Sequence, residues 1–206
     1  MEQCKEFQTP LFVNYVDFKK AFDSIHSESL WKILKLYGIP DKFINIFKSL
    51  YHHSNCCVKT RDGLTSLFDV ITGVRQGCIL SPLLFLICID YVMRKALNHP
   101  EFGIPWGRGK LTDLDFADDV ALLSHSATTL QQMTDSLKTS AEMVGLRITS
   151  DKTKVSTVSA TDTPILIGQQ TLEGVGEFQY LGSIISTNSD VEDKNRQGSI
   201  HFLTSP

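Results

Sequence analysis

The chain has 206 residues, 42% of them hydrophobic and 21% charged, a balance that supports a folded domain with a sizeable core and speaks against wholesale disorder. Its 20 basic and 23 acidic residues leave a net charge of −3, which runs against a surface built to hold polyanions. Five cysteines without a CxxC pair, and six histidines without zinc spacing around them, argue against a zinc module; the odd cysteine count favours reduced thiols inside a cell.

The opening MEQCKEFQTP carries acidic residues and no apolar signal segment, so secretion is not expected. LFVNYV, residues 11–16, is apolar, aromatic and β-branched, and reads as a buried strand ending on Asp17. Leu30, Ile33, Leu34 and Tyr37 then recur at helical spacing, with Ser27 as cap and Gly38 and Pro40 as the stop. A second helix restarts at Asp41 with Phe43, Phe47, Leu50 and Tyr51 on one face.

CCVKTRDGLTSLFDVITG predicts a hairpin turning at Asp62 and Gly63, with Cys56 and Cys57 as small strand hydrophobes. Ser81 and Pro82 make a cap and first position for an apolar helix running towards Leu97. Its run PLLFLICI is stopped by Asp90, well short of the roughly 20 residues of a membrane span, so no membrane partner is expected. NHPEFGIPWGRGK reads as loop or ribbon.

LDFADDVALLS, residues 114–124, sets Asp118 and Asp119 at the joint of two apolar runs, a turn anchored in a core hairpin. Asp113 and Asp115, in the strand before it, are expected to face solvent. Residues 128–144, with Leu130, Met133, Leu137 and Ala141, form an amphipathic helix ended by Gly145. LRI, TKVSTVS, PILI and FQYLGSIIS read as short strands. The sum is one α+β unit, with helices near 28–37, 82–97 and 128–144.

An isolated pair of aspartates is most simply a solvated turn. Here a second apolar strand also ends in a carboxylate, Asp17, and neighbouring carboxylates repel unless a proton or cation intervenes. Converging carboxylates suit a hard divalent ion such as Mg²⁺, which completes its shell with water and substrate phosphates and so serves phosphoryl transfer.

VDFKKAFDSIHSESLWKILKLYGIP, GVRQGCILSPLLF, LDFADDVALLS, GLRITSDKTK and FQYLGSIIS resemble, in order and spacing, the palm motifs of reverse transcriptases, most closely those of non-LTR (LINE-type) retrotransposons. The resemblance implies a polymerase palm over residues 9–196, a three- to four-stranded antiparallel sheet that carries Asp17 and the Asp118–Asp119 turn on adjacent strands and is backed by those helices, with 197–206 as a tail cut short. It implies an RNA-directed DNA polymerase that extends a DNA primer on an RNA template from dNTPs, with two Mg²⁺ ions, or Mn²⁺ in their place. By motif, Asp17 and Asp118 match the principal metal ligands and Asp119 the acidic residue beside them. Phe22 matches an aromatic gate against a ribose 2′-hydroxyl, and is otherwise a core aromatic. Gln76 and Gly77 match the segment touching the incoming nucleotide and template; Arg75 meets phosphate or is a solvated loop cation. Lys152 matches a residue that protonates pyrophosphate, and is otherwise a surface lysine. FQYLGS, residues 178–183, matches the primer-grip hairpin.

The family carries fingers upstream and a helical thumb downstream, rich in the cations that hold phosphates, and neither is expected within this sequence; Thr149 stands where the family usually has Asn. The missing segments of a longer polyprotein account for the net negative charge. The competing expectation is a catalytically inactive retrotransposon remnant that binds nucleic acid weakly. Either way the place of action is intracellular, in cytoplasm or nucleus.

Overall fold

A computed structural model of the chain describes residues 1–187 apart from His53, Ser54, Asp62 and Gln76. A short helix α1 (Glu2–Glu6) leads into β1 (Leu11–Val16), followed by α2 (Ala21–Ser24), α3 (Ser27–Leu36) and α4 (Asp41–Tyr51). Four two-residue strands, β2 (Asn55–Cys56), β3 (Lys59–Thr60), β4 (Gly63–Leu64) and β5 (Phe68–Asp69), precede the long helix α5 (Leu80–Leu97). Then come β6 (Ile104–Trp106), β7 (Gly109–Leu111), β8 (Asp113–Phe116), β9 (Asp119–Ser124), α6 (Ala127–Glu142) and β10 (Lys154–Val158). The described chain closes with β11 (Leu166–Ile167), β12 (Gln170–Thr171), β13 (Glu173–Gly174), β14 (Glu177–Tyr180) and β15 (Ser183–Ser186).

The central sheet has the order β13-β10-β1-β9-β8. It is antiparallel except at β10–β13, so it exceeds the expected three to four strands by a two-residue edge strand, Glu173–Gly174, that carries no sequence pattern. β1 lies between β9 and β10, and all six of its residues are buried. A strand covered on both faces reads as a continuous apolar run rather than an alternation, as LFVNYV does. Phe12 and Val16 face the helices; Leu11, Val13 and Tyr15 face a second core with Ile104, Ala121, Leu123 and Val158. Asn14 is the polar exception: it is fully buried, its Nδ2 donates to Thr134 Oγ1 of α6 at 2.9 Å, and its Oδ1 has no partner.

α5 and α6 back the sheet, with Leu84, Phe85, Cys88, Val92, Leu130, Met133 and Leu137 fully or nearly fully buried between them. Among the described residues no helix is long and apolar enough to cross a membrane. Ser126 caps α6, its side chain accepting from Thr129 N.

Several local expectations are corrected. Ser27 is the first residue of α3 rather than its cap, and the chain turns in at His26 instead. α5 starts at Leu80, and the Ser81 hydroxyl, in place of capping, donates to Arg75 O at 2.5 Å. On α4 the buried residue is Ile44, with Phe47 and Tyr51 packed beside it, while Phe43 and Leu50 are exposed. Gly63, expected in the hairpin turn, instead pairs with Thr60 as a strand residue, and Asp62 lies outside the described residues. Cys56 and Cys57 are exposed, since these short strands cover no core.

One close approach fixes the segment before α5. Gly73 N donates to Ile25 O and Val74 N to Phe22 O, both at 2.7 Å, which zips residues 72–74 onto α2. A Cβ on Gly73 would lie 2.6 Å from Asp23 Cα, and its φ is +86°. The left-handed conformation alone costs a side chain about 1–2 kcal/mol, and the backbone overlap adds to it. Gly73→Ala is therefore expected to lower the urea midpoint by at least that equivalent, with the slope unchanged; an unaltered midpoint would mean that the zip is not rigid.

Candidate active site

Asp17 follows the last residue of β1. Val16 pairs with Val120, and one further step of the same antiparallel register sets Asp17 across from Asp119, the first residue of β9. Phe116 pairs with Asp119, so the β8–β9 turn consists of Ala117 and Asp118. The expected Asp118–Asp119 turn is thus displaced by one residue: Ala117 takes the positive φ, +57°, that a two-residue hairpin turn demands. The expected core hairpin is also only half right. β9 is buried beyond Asp119, but Leu114 and Phe116 of β8 are exposed, because β8 is the sheet edge. Asp115 faces solvent, whereas Asp113 is half-buried, and burial first raises its carboxyl above the ordinary range.

The three carboxylates interact. Asp119 is held above the usual carboxylate range by partial burial first, then by the charge of Asp118 and that of Asp17. Asp17 N donates to Thr153 Oγ1 at 3.1 Å, and Thr149 N donates to Asp17 O at 2.8 Å, so the loop after residue 146 grips the aspartate's backbone. Asp17 Oδ2 and the neighbouring Thr149 Oγ1 are both buried without a hydrogen-bond partner. Lys152 Nζ lies 4.0 Å from Asp17 Oδ1, its side chain largely in solvent, a distance at which the pair adds little stability.

Among the described residues, no group of three or more His, Cys, Asp and Glu side chains is gathered closely enough to hold a metal ion as they stand. The donor chemistry nonetheless fits a hard cation: a carboxylate, Asp119, that feels the charge of two others, and an orphaned carboxylate oxygen, Asp17 Oδ2, with only a distant ammonium nearby.

A second cluster forms where residues 75–82 meet α2. Phe22, Arg75, Gly77, Cys78, Ile79, Ser81 and Pro82 line an open cleft of about 460 Å³. Phe22 is half-buried and stacks on Phe85, centroids 4.2 Å apart and planes at 11°, so it is at once a core aromatic and a cleft wall. The Arg75 guanidinium sits over the Tyr51 ring at 5.5 Å. Gly77, at φ +79°, has open space where a Cβ would stand. Gln76 lies outside the described residues.

The β14–β15 hairpin turns through Leu181 and Gly182, both at positive φ, and lays Phe178 and Tyr180 against Tyr15 of β1. The Tyr180 hydroxyl reaches Leu114 O at 2.9 Å and Asp119 O at 3.3 Å. Burial, followed by Asp119, Asp115 and Asp113, pushes this phenol up to about 12, so it is a donor at neutral pH.

With this geometry in view, residues 2–185 match the family model described as reverse transcriptase (RNA-dependent DNA polymerase). The chain belongs to the reverse transcriptase family. Among similar proteins, the Pol polyprotein of the type-2 retrotransposable element R2DM of Drosophila melanogaster is 30% identical over 148 residues, 72% of this chain and 14% of that protein. The Pol polyprotein of the type-1 element R2 of Nasonia vitripennis is 28% identical over 94% of this chain and 20% of its own length. The chain thus spans a fifth or less of these two relatives. Telomerase from Candida albicans, solved with a fragment of telomeric RNA, shares the fold at TM-score 0.65 and 17% identity, over 99% of this chain and 33% of that one. The α+β architecture is the polymerase palm.

Within this reverse transcriptase fold, the carboxylates and the Phe22–Arg75–Gly77 group are legible from sequence. The Thr153 hydroxyl behind Asp17 and the Tyr180 hydroxyl at the turn are not, because a side chain that meets a distant backbone leaves no local pattern; nor is Cys78 in the cleft, a lone cysteine with no spacing to mark it. The Cys78 thiol is held below its ordinary range, chiefly by the backbone N–H of Leu80.

The charge crowding gives a signed test. Because the carboxyl of Asp119 is raised in the folded chain, the fold binds its proton more tightly than the unfolded chain does, and ionisation works against folding as pH rises. Asp119→Asn is therefore expected to raise the melting temperature at pH 7, with the gain disappearing near about pH 3, where unfolded aspartates are also protonated. Millimolar Mg²⁺ should raise the wild-type melting temperature more than the variant's. A variant that melts lower than wild type at pH 7 would remove the repulsion argument.

Proposed function

We propose that this chain is the catalytic palm of an RNA-directed DNA polymerase that adds deoxynucleotides to a primer 3′-hydroxyl opposite an RNA template. What supports this reading above all is the β1–β9 register, which sets Asp17 across from Asp119, beside Asp118, in a chain matched by the reverse transcriptase family almost throughout. Such substrates place its work inside the cell.

Asp17, Asp118 and Asp119 would hold the divalent ions, Mg²⁺ or Mn²⁺, with Asp17 and Asp118 as the principal ligands. When bound, a pair of such ions supplies positive charge to both the attacking and the leaving oxygen of an in-line phosphoryl displacement. The protein's own contribution is to position and to move protons. The Thr153 hydroxyl and the Thr149 N–H fix the Asp17 backbone, so that the aspartate keeps its place while like charges push it away. Lys152, solvent-facing and 4.0 Å from Asp17, is the group placed to give its Nζ proton to departing pyrophosphate.

The cleft lined by Phe22, Arg75 and Gly77 receives the nucleotide. Phe22, pinned by its stack on Phe85, lines the cleft and would crowd a ribose 2′-hydroxyl; a deoxyribose lacks that atom. Arg75 meets a phosphate, and Gln76 and Gly77 the base pair, where the missing Cβ of glycine leaves the backbone accessible.

Primer extension with an RNA template, Mg²⁺ and dNTPs tests the reading, run on this chain and on one carrying the flanking segments of a full polyprotein. Extension that is abolished by Asp118→Asn upholds it; no extension by either chain favours the inactive remnant. In an active chain, Phe22→Ala is expected to raise ribonucleotide use relative to deoxyribonucleotide by about 10-fold or more, the scale on which a filled pocket discriminates. Independently of turnover, dNTP with Mg²⁺ should slow alkylation of Cys78 in the cleft while leaving Cys56 and Cys57 unchanged.

A further inference from the structure

The β8–β9 turn is strained and lies at the edge of the sheet. Ala117 takes a left-handed φ of +57° without being glycine, and β8, as the outermost strand, has a hydrogen-bonded neighbour on one side only. Strained backbone of this kind persists only where the surroundings over-determine it. Among the described residues, the side chain that reaches the backbone on both sides of the turn is Tyr180. Its hydroxyl spans Leu114 O on β8 and Asp119 O on β9.

The division of labour within the β14–β15 hairpin isolates that hydroxyl. Phe178 supplies the apolar anchor, stacked on Tyr15 with centroids 4.2 Å apart and planes at 14°. Tyr180 is looser against the same ring, 5.9 Å away and tilted by 44°. Its distinctive contact is the polar one. A single O–H shared between two carbonyls ties strand β8, strand β9 and the hairpin to one point beside the acidic pair.

We propose that Tyr180 is a positioning residue: its hydroxyl holds the main chain on both sides of the Ala117–Asp118 turn and so sets where Asp118 and Asp119 present their carboxylates. The functional part of this proposal rests on the reading of those aspartates as metal ligands. The mechanical part does not. Its hydrogen bonds go to main-chain carbonyls, so its hold on the two carboxylates runs through the backbone.

Tyr180→Phe deletes the hydroxyl and keeps the ring. In the full chain, amide hydrogen exchange at residues 116–120 is expected to quicken about fivefold, the equivalent of one lost hydrogen bond, with β10 unchanged. Mn²⁺ titration followed by electron paramagnetic resonance is expected to give a Kd raised about tenfold, the usual cost of losing a group that orients metal ligands. Uniformly faster exchange across the sheet, unchanged exchange at the turn, or a loosened turn with unaltered Mn²⁺ affinity would each overturn the proposal. Failure of the metal reading has a different signature: wild type would then bind Mn²⁺ no better than Asp118→Asn. In that case the exchange data still decide whether the hydroxyl holds the turn.

Discussion

The site depends on the hydrogen-bonded pairing of β1 with β9. The pairing brings a carboxylate from near the start of the chain against two carboxylates from its middle, and it does so with backbone bonds alone. The repulsion among the three is small beside the burial of the strands that carry them: Val120, Ala121 and Leu122 of β9, and every residue of β1, lie inside the protein. Apolar packing on both faces of β1 fixes its ends, and Asp17 stands at one of them because the strand runs out there. The acidic cluster is thus imposed by a sheet that has no use for it.

The cleft beside Phe22 and Arg75 is built by different means. No sheet register defines it; a loop is zipped to α2 through Gly73 and Val74, and the Ser81 hydroxyl ties the start of α5 to Arg75 O. Phe22 is shared between this cleft and the core through its stack on Phe85. The two halves of the site are therefore held in different ways. The carboxylates sit at the rim of a buried sheet, whereas the cleft hangs on a few bonds and one close backbone contact.

What was legible in the sequence follows the same division. LFVNYV, the apolar stretch after Pro82 and the spacing of Leu130, Met133, Leu137 and Ala141 announce their elements because burial repeats along them. The order of motifs announced the palm. The exact position of the turn did not show, because a positive φ at Ala117 is dictated by strand pairing and not by any preference of alanine. Leu114 and Phe116 mislead for a related reason: apolar residues suggest a core strand, but their position at the edge of the sheet leaves them exposed. Serines 27 and 81 both look like caps, and Ser81 instead binds a carbonyl six residues back, a choice that only the tertiary fold determines.

Asn14 gives the sheet a means of rejecting its own misalignments. In the native arrangement the amide points to α6 and donates to Thr134. A slip of one residue turns every side chain of a strand to the opposite face, and would strand this amide among Ile104, Ala121 and Leu123 with both ends unsatisfied, at a cost of roughly 1–3 kcal/mol or more. That same slip would carry Asp17 past Asp119. A single amide in a strand buried along its whole length therefore acts as a proofreader, penalising the alignments in which the aspartates would fail to meet.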